Sequence, residues 1–176
     1  MKSLPLSFFN RPTLIVAQEL LGKTLIHQIK ESRLSIIVNE VEAYDGPHDK
    51  ASHAHKGITP RNAVMFGEAG HWYLYLIYGT YWMLNITTGP RKYPAAILIR
   101  GGYTPEHTLI SGPGKLTKYL NLDKSYNMLP ATQKTNLWFE DFGIKVLPKN
   151  IKRKKRIGVD YATEWADKLY NLSFVL

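Results

Sequence analysis

LSIIVNEVEAY, residues 34–44, decides how the fold is read. Its β-branched residues Ile36, Ile37, Val38 and Val41 favour a pleated strand over a helix. Period two then sets Leu34, Ile36, Val38, Glu40, Glu42 and Tyr44 on one face, which begins apolar and ends acidic. Downstream, residues 72–78 alternate apolar and aromatic side chains, Gly79-Thr80 supplies a turn, and residues 81–87 return, predicting a hairpin with Tyr78 at its tip. AAILIR, residues 95–100, adds another strand. Helices are fewer: Pro12 leads TLIVAQELLG with Gly22 as the stop, Thr59 caps a short helix opened at Pro60, and SGPGKLTKYL starts one near Pro113. Strands outnumber long helices, so the expected class is α+β with a mainly antiparallel sheet.

The 176 residues suit one domain, expected to run over residues 1–176. Hydrophobic residues are 44% and charged residues 21%, and no uncharged apolar run is long enough to span a bilayer, so neither disorder nor a membrane protein is expected. With no cysteine, disulfides, Cys-ligated zinc, iron–sulfur clusters and thiol nucleophiles are excluded. The start, MKSLPLSFFN, meets Arg11 and Pro12 before a signal-length apolar run develops, which predicts a mature fold without an export signal.

Net charge is +9, and it is uneven: residues 1–90 hold eight basic and seven acidic groups, residues 91–176 fifteen and seven. Lys149, Lys152, Arg153, Lys154, Lys155 and Arg156 concentrate this excess and favour a polyanion, although such a run can also be a solvated loop. Six Tyr and Trp residues between positions 72 and 82 add surfaces on which bases can stack.

Glu40 and Glu42, at i and i+2, lie about 7 Å apart along a strand, a spacing open to general acid/base work and equally to two hydrated glutamates. In DGPHDKASHAHKG, residues 45–57, His48, Asp49, His53 and His55 are metal-ligand types, but their irregular spacing predicts no metal centre. Gly112, Pro113, Gly114 and Lys115 read as a helix-opening loop; Gly114, Lys115 and Lys118 are candidate contacts to a DNA backbone, or a plain helix start.

The segment 42–90, EAYDGPHDKASHAHKGITPRNAVMFGEAGHWYLYLIYGTYWMLNITTGP, followed by AAILIRG, SGPGKLTKYLNL and RIGVDYATEWA, resembles the methylpurine-DNA glycosylase family over nearly the whole chain. The resemblance implies a single compact domain on a curved antiparallel sheet, with surrounding helices and a protruding hairpin. It also implies a monofunctional base-excision repair enzyme that needs no cofactor, acting on double-stranded DNA and hydrolysing the N-glycosidic bond of a flipped, alkylated or deaminated purine. A monomer inside the cell, with the DNA, is expected. Carried over by position, Glu42 is the carboxylate that activates water, and Arg100 holds the nucleotide and water near it. Tyr44 and Tyr75 stack on the base, His53 hydrogen-bonds in the pocket, Asn85 disfavours guanine, and Tyr78 fills the gap in the duplex. Arg156 falls in the family's RIG motif. One departure is the stretch between Arg100 and Ser111, shorter here than in many members.

Two other readings remain open on residues alone. A carbohydrate glycosidase would use Glu40 and Glu42 as its acid pair, and a non-catalytic nucleic-acid-binding module would need only the basic run and Tyr78.

Overall fold

The β-branched run lies in the longest strand of the molecule. In the computed structural model, which describes residues 2–176, the strands are β1 (Lys2–Ser3), β2 (Thr24–Ile29), β3 (Ser32–Asp45), β4 (Trp72–Ile77), β5 (Tyr81–Thr87), β6 (Ala95–Tyr103), β7 (Leu109–Ser111), β8 (Leu137–Asp141), β9 (Lys152–Lys154) and β10 (Asn171–Ser173). They form one sheet in which every pairing is antiparallel, with the path β1-β8-β2-β3-β6-β5-β4. Strand β3 organises it: β6 pairs along one edge, while β2 and then β10 share the other. Two α-helices, α1 (Thr13–Leu20) and α2 (Pro113–Tyr119), and several 3-10 turns surround the sheet. The α+β class with a protruding hairpin is the observed one.

The expected single face of β3 is not what forms. Pairing with β6 slips between Val38 and Val41: Val38 opposes Gly102, Glu40 opposes Gly101, and Val41 opposes Ile99. This bulge leaves Asn39 unpaired and resets the alternation. Ile36 and Val38 face the main core, but beyond the bulge Val41 and Ala43 take over that face, so Glu40, Glu42 and Tyr44 point to the opposite side. An apolar-to-acidic stripe on one face becomes an apolar core face backed by an acidic and aromatic functional face. Gly101 makes the slip possible, since a Cβ there would lie 2.8 Å from Asn39 Oδ1.

The first expected helix forms with shifted boundaries and the second does not form as expected. Pro12 is the N-cap of α1, which ends at Leu20, and Gly22 follows at φ +82°. No helix opens at Pro60. Thr59 and Asn62 instead close a turn, with Thr59 N donating to Asn62 Oδ1 at 2.7 Å and Asn62 N to Thr59 Oγ1 at 3.3 Å, and the 3-10 turn begins at Ala63. Side-chain bonding of this kind competes with helix formation.

Candidate active site

On the functional face lies a pocket of about 150 Å³, lined by residues of β3, β4, β5 and β6, of loop 51–53 and of the C-terminal segment 157–161. Of the candidate residues, Glu42, Tyr44, His53, Tyr75, Asn85 and Arg100 all line it. Glu40 does not.

Glu42 has no exposed side-chain surface. Four donors converge on its carboxylate: Ile157 N at 2.8 Å and Asn171 Nδ2 at 3.1 Å on Oε1, and Tyr44 Oη at 3.0 Å and Arg100 Nη1 at 3.4 Å on Oε2. A carboxylate is the acceptor-only group that such a set of donors complements. Arg100 also donates through Nε to Glu40 Oε1 at 3.1 Å, and Asn171 Nδ2 reaches the same oxygen at 2.8 Å. Glu40 therefore steers Arg100 and Asn171 rather than forming a second pocket acid.

The walls are aromatic. Burial, and after it the nearby Glu42 charge, pushes the Tyr44 hydroxyl well up and keeps it a donor. Burial raises Tyr75 likewise and Tyr73 to about 12. Tyr73, a donor throughout the neutral range, meets His53 Nδ1 at 2.9 Å. A protonated tyrosine hydroxyl both donates and accepts, so this contact holds the His53 ring in either neutral tautomer. Desolvation by the surrounding protein, then the Arg61 charge, lowers the pKa of His53 and so favours the neutral ring. The His53 ring packs edge-on to Tyr75 with centroids 4.6 Å apart. Asn85 is pinned: its Nδ2 donates to Tyr73 O at 3.0 Å and Met83 O at 3.2 Å.

Tyr78 stands apart from the pocket. It is 92% exposed at the tip of the β4–β5 hairpin, where Tyr78 at φ +51° and Gly79 at φ +67° make the turn. Positive φ at both central positions is the backbone that a tight hairpin turn requires, closed here by Thr80 N donating to Ile77 O at 3.1 Å.

A family model described as methylpurine-DNA glycosylase matches residues 7–175. The chain belongs to the methylpurine-DNA glycosylase family. Among curated relatives, each bearing the name "Putative 3-methyladenine DNA glycosylase", the protein of Methanocella arvoryzae is 45% identical over 93% of this chain and 88% of its own. That of Rickettsia rickettsii is 43% identical over 95% and 87%, and that of Sodalis glossinidius 51% identical over 72% and 74%.

For a member of this family, the basic run reads differently in three dimensions. Arg156 is not part of a charged surface: it is fully buried, paired with Asp49 at 2.5 and 2.9 Å, and bonded to the carbonyls of Ala43 and Trp165. Its guanidinium also lies 4.8 Å from the centroid of the Tyr44 ring. Lys155 pairs with Asp167, and Arg153 donates to Gln18. Asp49 is thereby committed to structure, and no cluster of three metal-ligand side chains occurs among the described residues. At α2, Lys115 and Lys118 are exposed, whereas Gly114 has a packing role, because a Cβ there would lie 2.6 Å from the Tyr81 ring.

Sequence reasoning missed Asn171, the Ile157 amide and Tyr161, all of which reach the pocket or its carboxylate from the C-terminal segment. Ile157 and Tyr161 fall within RIGVDYATEWA, a segment that carries the resemblance but to which no pocket role is attached. Asn171 is found only through the pairing of β10 with β3, which sets it opposite Glu42. No helix is long and apolar enough to cross a membrane among the described residues.

Proposed function

We propose that this chain is a monofunctional DNA glycosylase that flips an alkylated or deaminated purine out of duplex DNA and hydrolyses its N-glycosidic bond. The observation that carries this reading is the buried, donor-clamped Glu42 at the base of a single aromatic slot. A cavity of about 150 Å³ can take up one small aromatic ligand, and a base inside a duplex cannot reach such a site without extrusion. Tyr44 and Tyr75 would stack on the base, returning about 1–3 kcal/mol per contact against the few kcal/mol that flipping costs. Tyr78 would occupy the vacated position in the helix from the minor groove.

Bond cleavage leaves the electron pair on the purine N9 and oxocarbenium character on the sugar. Glu42 faces that positive charge and takes a proton from the water whose oxygen bonds to C1′. Arg100, held between Glu40 and Glu42, orients the water and the nucleotide. The products are a free base and an abasic site. A cationic base such as 3-methyladenine or 7-methylguanine departs neutral, whereas hypoxanthine and ethenoadenine need a proton. No lysine lines the pocket, which supports water rather than a Schiff-base amine as the nucleophile. The pinned Asn85 would obstruct the 2-amino group of guanine.

Incubation with duplexes containing hypoxanthine or 3-methyladenine tests the proposal: free base and an abasic site are expected. Binding without release would leave a nucleic-acid-binding module. Hydrolysis of oligosaccharides without base release would favour a carbohydrate glycosidase, against which Glu40 already counts through its engagement with Arg100 and Asn171.

A further inference from the structure

The register of the sheet gives part of the basic run a defined orientation. Strand β10 pairs with β3 on one side and with β9 on the other, so Glu42, Asn171 and Lys154 form one cross-strand row and Glu40, Ser173 and Lys152 the next. Directly opposed residues project from the same face of an antiparallel sheet. The Asn171 side chain confirms the direction, since it reaches both Glu40 and Glu42. The intervening row, Val41, Leu172 and Arg153, points the other way: Val41 and Leu172 enter the core and Arg153 bonds to Gln18 of α1. Lys152 and Lys154 therefore project from the face that carries the pocket. Both are exposed, and among the described residues neither has an acidic partner.

We infer that Lys152 and Lys154 form a phosphate-binding ledge for the DNA strand that carries the extruded nucleotide. This rests on the glycosylase reading and extends it to the backbone contacts of the damaged strand. The ledge lies two strand spacings, about 10 Å, from Glu42, and its two lysines are about 7 Å apart along β9, so each can take a different phosphate. There is an electrostatic reason for cations at this position. Placing C1′ over Glu42 brings the nucleotide's flanking phosphates towards two carboxylates, and Arg100 alone compensates them. Unpaired lysines one strand beyond Asn171 offset the remaining repulsion.

The test is the salt dependence of binding to a duplex carrying a base-less sugar analogue, which has no glycosidic bond to break. Each phosphate contact contributes about 0.9 to the slope of log K against log salt, so the double substitution Lys152→Gln/Lys154→Gln should lower the slope by about 1.8. A control with the same loss of charge, Lys30→Gln/Lys134→Gln, removes exposed lysines from the region of β2 and β8 and should leave the slope unchanged. A slope equal to the wild type, or an equal change in both doubles, overturns the ledge. Charge reversal at Lys154→Glu should weaken binding further than Lys154→Gln; equal affinities would count against a phosphate contact there. Base release by the wild-type protein is measured separately, so failure of the glycosylase reading shows as absent release whatever the slopes do.

Discussion

At the residue scale, the site is a carboxylate whose every partner is a donor and a histidine held by a tyrosine hydroxyl. Glu42→Gln keeps the shape but replaces one acceptor oxygen with an amide that faces donors. Single-turnover base release should fall by about 10²–10⁴-fold or more, the range typical for a lost general base, while lesion binding measured by gel shift persists. Release at the wild-type rate would remove Glu42 from the mechanism. His53 carries a pH prediction with a definite sign. Its folded pKa lies below 6.5, so the neutral form is the one that the fold favours. The resulting stability is present above the unfolded value and is lost as pH falls through the lowered folded value. An NMR titration of the His53 ring should give a midpoint below 6.5. A midpoint at or above that value would show that desolvation and the Arg61 charge do not disfavour the imidazolium.

At the element scale, the β4–β5 hairpin and the C-terminal segment have separable tasks. If Tyr78 supports the extruded state, Tyr78→Ala should slow hypoxanthine release about tenfold or more in a fully paired duplex, equivalent to roughly 1.4 kcal/mol. The defect should shrink opposite a gap or mismatch, where less stacking has to be broken. Tyr44→Ala, which removes a pocket wall, should impair both duplexes alike. A Tyr78 defect independent of duplex context would return this residue to an exposed turn position. The C-terminal segment is held by the buried Asp49–Arg156 pair, which fixes the residue just before the Ile157 amide that caps Glu42. Removing one member of a buried ion pair costs about 3–5 kcal/mol because the other charge is left uncompensated. Asp49→Ala should therefore lower the melting temperature markedly in a thermal denaturation experiment. A melting temperature within a degree or two of wild type would mean that Arg156 finds other anions or water.

At the scale of the whole molecule, one antiparallel sheet separates a hydrophobic core on one face from a functional surface on the other. Of the metal-ligand types of residues 48–55, Asp49 is bound by Arg156 and His53 by Tyr73, while His48 and His55 are exposed, and no group of three gathers among the described residues. Base release is accordingly expected to persist in excess EDTA, and its loss with recovery on adding zinc or magnesium would show a metal requirement. Much of this plan is legible in the chain. β-branched runs, the turn at Gly79 and Pro113 at a helix start are local signals, and they place β3, the hairpin and α2 close to their observed limits. Glu42, Tyr44, Tyr75 and Asn85 are named through the family resemblance; alternation alone places them in strands, where Tyr75 reads as core and Asn85 as a strand end. The sequence by itself determined the elements, since propensity and periodicity act over a few neighbours, and through its long family motifs it pointed to the residues with chemistry to offer. Tertiary structure alone decided which way they face and what meets them. The bulge at Asn39 reverses the functional face of β3 because it arises from pairing with β6, not from any preference of residues 38–41. Arg156 lies within a charged run, and only contact with Asp49, 107 positions away, makes it a buried anchor. Asn171 and Ile157 reach Glu42 across separations of 129 and 115 residues, through strand pairing and loop closure that no local pattern encodes.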